Sequence, residues 1–220
     1  MVHTFYSPEW FLIYELILHI AFALITAAVS YYAFRVYNLV KEPQPKLFGI
    51  AFGLFSLSYI IQFFLELVTL IQFREATRTV FEALLDRLLD IAGIYVHVVL
   101  FTIGLVTLTY MTLKVKSAKI YSLILFTTLI SLLFASNTFH LFCVLSSFFL
   151  LFILIHYLAN YLHHKQRNTL RALIAFALMF IGSLPMIFYL VSEAYYVAGH
   201  VIEGIAYVVL LLNLILAVKK

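Results

Sequence analysis

The stretch Glu9–Lys41, EWFLIYELILHIAFALITAAVSYYAFRVYNLVK, decides the fold. It carries Glu9 and Trp10 at one end, Arg35 and Lys41 at the other, and between them an apolar run interrupted mainly by Glu15 and His19. A helix rises about 1.5 Å per residue, so roughly 20 apolar residues cross a hydrocarbon core about 30 Å thick. The stretch reads as a membrane span from Glu9 to Tyr37, acidic at one end and basic at the other.

The same pattern recurs along the chain. Further spans are expected over Leu47–Gln72, Leu84–Leu113, Lys119–Ala135, Thr138–Leu162, Leu170–Val191 and Tyr196–Val218, the fourth being the shortest and carrying Thr127, Thr128 and Ser131. With 220 residues, mean hydropathy +1.08, 65% hydrophobic and 11% charged side chains, the chain holds more apolar surface than a soluble domain of this size buries. The expected fold is all-α and integral to the membrane, a single seven-helix transmembrane domain over residues 1–220.

Charge gives a direction to these spans. Of 14 basic residues, Arg35, Lys41, Lys46, Lys114, Lys116, Lys119, Lys165, Arg167, Arg171, Lys219 and Lys220 flank the odd-numbered connections or the C-terminus. Of 10 acids, all but Glu42 fall at the opposite ends. The positive-inside rule then puts the N-terminus outside and the C-terminus inside. A multi-pass protein of the cell membrane is expected, with the lipid bilayer as its main partner. Tyr6, Trp10, Tyr195 and Tyr196 fit an outer aromatic belt, and Tyr31, Tyr32, Tyr37, Tyr110, Tyr121, Tyr157 and Tyr161 an inner one. The net charge of +4 follows the connections, so it does not imply a nucleic-acid partner. The single cysteine, Cys143, cannot form an intramolecular disulfide and is expected to face lipid or to pack. Met1–Pro8 has neither the basic region nor the cleavage site of a signal peptide, so Met1 is expected to remain in the mature chain.

The second connection is the long one. In Arg74–Asp90 apolar residues recur at Phe81, Leu84, Leu85, Leu88 and Leu89 with charges between them, which is the period of an amphipathic helix. It is either an outer extension of helix three or a helix on the membrane surface, with Arg78 and Glu82 spaced for an i,i+4 pair. There is also an internal echo. Ile50-Ala51-Phe52-Gly53-Leu54 returns as Ile174-Ala175-Phe176-Ala177-Leu178, and Tyr37 with Lys41 returns at the same offset as Tyr161 with Lys165. A 3-1-3 repeat would explain both, pairing helices one and two with five and six and leaving helix four as a linker.

Ionisable groups inside hydrocarbon are expensive and usually functional. Glu15, His19, Glu66, His97 and Glu203, from helices one, two, three and seven, all fall roughly 8–14 Å below the outer boundary by helical rise. Glu15 and His19 share a face of their helix, as do His200 and Glu203, and Asp86 with Asp90. The ligand-binding candidates are therefore Glu15, His19, Glu66, His97, His200 and Glu203, turned into one outward-facing pocket. For Glu9, Asp86 and Asp90 alone, snorkelling to the headgroups suffices. Imidazole with carboxylate suits zinc or iron, with His19, His97 and Glu203 as candidate metal ligands. His200-Val-Ile-Glu203 reverses the Glu-x-x-His of diiron bundles and occurs once. Haem would need His19 and His97 on facing helices, among acids that make a poor porphyrin pocket. No lysine lies inside a span, which excludes retinal. Gly93, His97 and Gly104 make a stripe on which another helix can approach closely. Pro185, beside Gly182 and Ser183, predicts a kink in helix six and a hinge candidate.

No phosphate loop, Gly-x-Ser-x-Gly or zinc-protease signature is present. Pro43-Gln44 is similar to the pair in PQ-loop and sugar-efflux transporters, which are seven-helix and 3-1-3, but it is expected in a loop and helix five has no copy. Tyr31–Tyr37, Lys46–Phe52 and Leu57-Ser58-Tyr59 resemble the beginning of prokaryotic, especially archaeal, seven-helix modules used as sensor inputs. That resemblance covers the first two helices and implies a ligand-sensing bundle. As the sequence stops after its last helix, signal output would need a membrane partner protein. The expected function is a receptor- or sensor-like protein binding a small ligand, proton or metal ion. The alternatives are a small secondary transporter and a metal-dependent intramembrane hydrolase.

Overall fold

The computed structural model describes residues 10–72, 80–114 and 117–218. Glu9, Tyr6, Lys116, Lys219, Lys220 and the Arg78–Glu82 pair, and the side chains of Asp86 and Asp90, lie outside what is described. Among the described residues the regular elements are seven helices: α1 Leu12–Val40, α2 Pro43–Gln72, α3 Val80–Leu113, α4 Ala118–Leu133, α5 Thr138–His164, α6 Arg167–Ile187 and α7 Glu193–Val218. Six of them are long and apolar enough to cross a membrane. The chain is a multi-pass membrane protein built as a helical bundle.

Helix α4 has 16 residues, about 24 Å of rise, and so falls short of the hydrocarbon thickness. It still runs antiparallel along α3. Tyr121 near its start packs on Tyr110 and lies 3.2 Å from the Thr107 hydroxyl, while its Leu132 carbonyl accepts from Thr138, whose hydroxyl also reaches Tyr95.

Several helix ends differ from those expected. α2 begins at Pro43 rather than Leu47, because proline fits the first turn of a helix, where its missing N–H has no role. Pro43-Gln44 is therefore helical and not in a loop. α3 begins at Val80, so residues 80–90 of the amphipathic stretch extend this helix. α6 stops at Ile187 instead of Val191. Pro185 lies in its last turn, and the Phe188 N–H closes back on the Pro185 carbonyl at 2.9 Å. What the sequence suggests as a mid-helix kink is the end of the helix.

The packing order makes a closed circuit. α1 packs on α2, α2 on α3, α3 on α5, α5 on α6, α6 on α7 and α7 back on α1, with α4 outside against α3 and α5. Within lipid the hydrophobic effect does not press helices together, so close packing and hydrogen bonds must hold them. Gly104 lets α2 approach so closely that a Cβ there would stand 3.0 Å from the Ala51 carbonyl oxygen. Hydroxyls bridge other helix pairs: Ser30 donates to the Gly49 carbonyl and Ser56 to that of Ala23, between α1 and α2, and Ser147 to Ser183, between α5 and α6. The centre is aromatic, with Phe22, Phe52, Phe55, Phe176 and Tyr207 buried together. Cys143 is buried in this core. Large apolar side chains such as Leu24, Phe126, Phe148 and Leu212 point outward, as a lipid-facing surface requires.

Candidate functional site

The half of the bundle nearest Trp10 is crossed by a buried polar network contributed by α1, α2, α3 and α7. Its core is a trio. Glu15, His19 and His200 are all buried and each offers one ligand atom, with the three atoms within 4.8 Å of one another. Glu15 and His19 are four residues apart on α1, and His200 comes from α7 beside it. The two imidazoles meet edge to face at 5.8 Å.

Around the trio stand two further carboxylates. His19 Nδ1 is 2.8 Å from Glu66 Oε2, and the other oxygen of Glu66 accepts from Gln62 Nε2 at 2.9 Å. Glu203 Oε1 accepts from Tyr59 at 2.6 Å and Tyr207 at 2.7 Å, while its Oε2 faces His200 Nδ1 at 3.9 Å. Tyr196 donates to Glu15 Oε1, and His200 Nε2 stands 4.0 Å from that same oxygen. Both nitrogens of His200 are buried without a hydrogen-bond partner. Buried polar atoms are nearly always paired, so this is the anomaly of the site.

The sequence-derived candidates fall into place unevenly. Glu15, His19, Glu66, His200 and Glu203 lie together in one cluster. His97 borders it without joining the trio: its ring and that of His19 pack against Tyr59 at 5.7 and 5.8 Å, and its Nδ1 lies 2.7 Å from Ser58 Oγ. Pro185 lies apart, in an apolar groove with Ile181, Leu184, Phe188 and Tyr195. Tyr196, read as a belt residue, is instead 6% exposed and holds Glu15. Sequence reasoning also missed Tyr59, Gln62 and Tyr207. A signal was there: Tyr196, His200, Glu203 and Tyr207 are spaced four, three and four along α7, which puts them on one face.

Among the residues whose side chains are described, every lysine and arginine lies at the other end of the helices. Among the described residues, the three carboxylates inside this half of the bundle, Glu15, Glu66 and Glu203, have imidazoles, phenols and an amide as neighbours. Such an arrangement can bind protons or a cation. Three atoms bound to one tetrahedral zinc at about 2.0–2.2 Å stand roughly 3.4 Å apart, so the trio would draw in by about 1 Å to hold an ion.

No protein-family model matches this chain, and no curated protein or solved structure matches it. The site has to be read on its own chemistry.

Proposed function

We propose that this is a receptor- or sensor-like protein of the cell membrane that takes up a transition-metal ion, zinc or iron, in an outward-facing pocket between α1, α2 and α7. One observation carries the reading: His200 is buried, neither ring nitrogen is hydrogen-bonded, and each stands about 4 Å from a carboxylate oxygen, a gap too long for a hydrogen bond and suited to an atom in between. A divalent cation would also offset the charge of the three carboxylates. Imidazole donors favour zinc or iron over calcium or magnesium, which take oxygen ligands. The clustering of basic residues at one end supports an N-terminus outside and a C-terminus inside. In this reading binding draws α1 and α7 together, α6 responds through the turn after Pro185, and a membrane partner receives the signal, as the likeness to archaeal sensor inputs implies.

The test is elemental metal content of the detergent-purified chain. One zinc or iron per chain in the wild type and in His156→Ala, and none in His200→Ala, is the expected result. A wild type that neither carries nor takes up metal overturns the proposal.

Transport is the second reading, and the echo in the sequence favours it. Lys41 and Lys165 are both left-handed C-caps whose N–H closes on Tyr37 and Tyr161, and Ala51-Phe52 and Ala175-Phe176 are both fully buried behind exposed Ile50 and Ile174. The packing circuit is compatible with such a repeat, running α1-α2-α3 and α5-α6-α7 with α4 outside it. Parallel three-helix repeats of this kind form transporters with their site between the units. Metal uptake into proteoliposomes, lost in Glu203→Gln, would select transport; binding without flux would select the receptor.

A further inference from the structure

Building on that reading, we infer that Glu15, His19 and His200 are the ligands of the ion among the described residues, that Glu66 and Glu203 act behind the imidazoles, and that a fourth coordination position is left for an exchangeable small donor. The argument is one of commitments. Glu66 has both oxygens engaged, Oε2 by His19 Nδ1 and Oε1 by Gln62. This fixes the proton of His19 on Nδ1 and leaves Nε2 to coordinate. Glu203 Oε1 takes two phenol donors, and its Oε2 faces the Nδ1 of His200. A proton on that Nδ1, drawn to Glu203 as the trio closes, directs His200 Nε2 toward Glu15. Both histidines then have the same arrangement, a carboxylate on Nδ1 and the metal on Nε2, which orients the ring and raises its basicity. His97 Nδ1 is taken by Ser58, and among the described residues the His, Cys, Asp and Glu ligand atoms that gather within 4.8 Å of one another are those of Glu15, His19 and His200 alone. Two histidines, one carboxylate and one open position are the set found where zinc exchanges ligands rather than merely staples a fold.

The lining selects that fourth ligand. Three carboxylates, Glu15, Glu66 and Glu203, surround the position, and among the residues whose side chains are described no lysine or arginine lies in this half of the bundle, which disfavours an added anion. A neutral oxygen or nitrogen donor is the class that fits.

The experiment is a zinc competition titration against a chromophoric chelator on the purified full chain, with the visible spectrum of the cobalt-loaded protein as second readout. Glu66→Gln and Glu203→Gln should each still bind one ion at saturation but about 10–100-fold more weakly, and should shift the cobalt bands. Glu15→Gln and His200→Ala should bind none. Imidazole, as the neutral probe, should perturb the cobalt spectrum of the wild type at concentrations where azide does not. Glutamine keeps an acceptor for Tyr59 and Tyr207, so an unchanged thermal midpoint of the metal-free Glu203→Gln protein separates this role from a folding defect. An unchanged zinc affinity in both glutamine variants overturns the outer role of the carboxylates, and complete loss of stoichiometry in Glu203→Gln makes it a direct ligand instead. A cobalt spectrum indifferent to imidazole overturns the open position. A wild type that takes up no zinc overturns the metal site itself, and this inference with it.

Discussion

Replacing Gly104 with alanine tests whether the close approach of α2 to α3 holds the bundle together. An added Cβ would stand 2.5 Å from Phe55 Cε1, 2.8 Å from Cδ1 and 3.0 Å from the Ala51 carbonyl oxygen, against ordinary contacts of 3.4–4 Å. About 1 Å must be found. Phe55 cannot yield it, for it has no exposed surface and lies between Phe52 at 5.2 Å and Phe101 at 4.4 Å. Nor can a backbone oxygen swing aside, so the helices themselves must part. Overpacking of this kind costs typically 1–3 kcal/mol, and three simultaneous contacts put the site at the upper end. Alanine regains about 1 kcal/mol of helix propensity, leaving a net loss of about 2 kcal/mol. Gly53→Ala is the internal control. Its Cβ would meet only the Ser30 hydroxyl, at 3.3 Å, so the propensity gain should dominate and stability rise by about 0.5 kcal/mol. Equilibrium unfolding in mixed detergent micelles, titrated with a denaturing detergent, reads both. Gly104→Ala as stable as Gly53→Ala would refute the packing argument.

Two further outcomes are expected. Tyr59→Phe and Tyr207→Phe each remove a donor to Glu203 Oε1, at about 1.5–3 kcal/mol apiece, and because the two phenols lie 2.9 Å apart their losses should be non-additive in a double-mutant cycle. Lys41→Gly and Lys165→Gly, at left-handed caps with φ of 59° and 49°, should each raise stability by up to about 1 kcal/mol and by similar amounts, measured in the same unfolding assay.

Much of the bundle was legible in the sequence because lipid imposes one simple demand: about 20 apolar residues per crossing. The helix ends were less so. At Pro43 and Pro185 the same residue type begins one helix and closes another, and the difference depends on neighbours in space. The common depth of Glu15, His19, Glu66 and Glu203 follows from counting residues along their helices. Which imidazole would stand between the carboxylates did not follow. His97 and His200 both lie in this half of the bundle, and the packing of α3 and α7 turns one toward Ser58 and the other toward Glu15 and Glu203. Tyr196 misled because a tyrosine near a membrane boundary suits a belt as well as a buried hydrogen bond, and composition does not separate the two.

In the closed circuit of six helices, the group α1–α3 meets the group α5–α7 along two seams, α1 against α7 and α3 against α5. The ligand trio straddles only the first, with Glu15 and His19 on one lip and His200 on the other. On the proposed reading, an ion seated there would clasp one edge and leave the opposite edge to its own contacts, the Thr138–Tyr95 hydrogen bond among them. On that reading the asymmetry would give binding a direction, with the clasped seam as the pivot and the far seam, where α4 lies alongside, as the edge that opens.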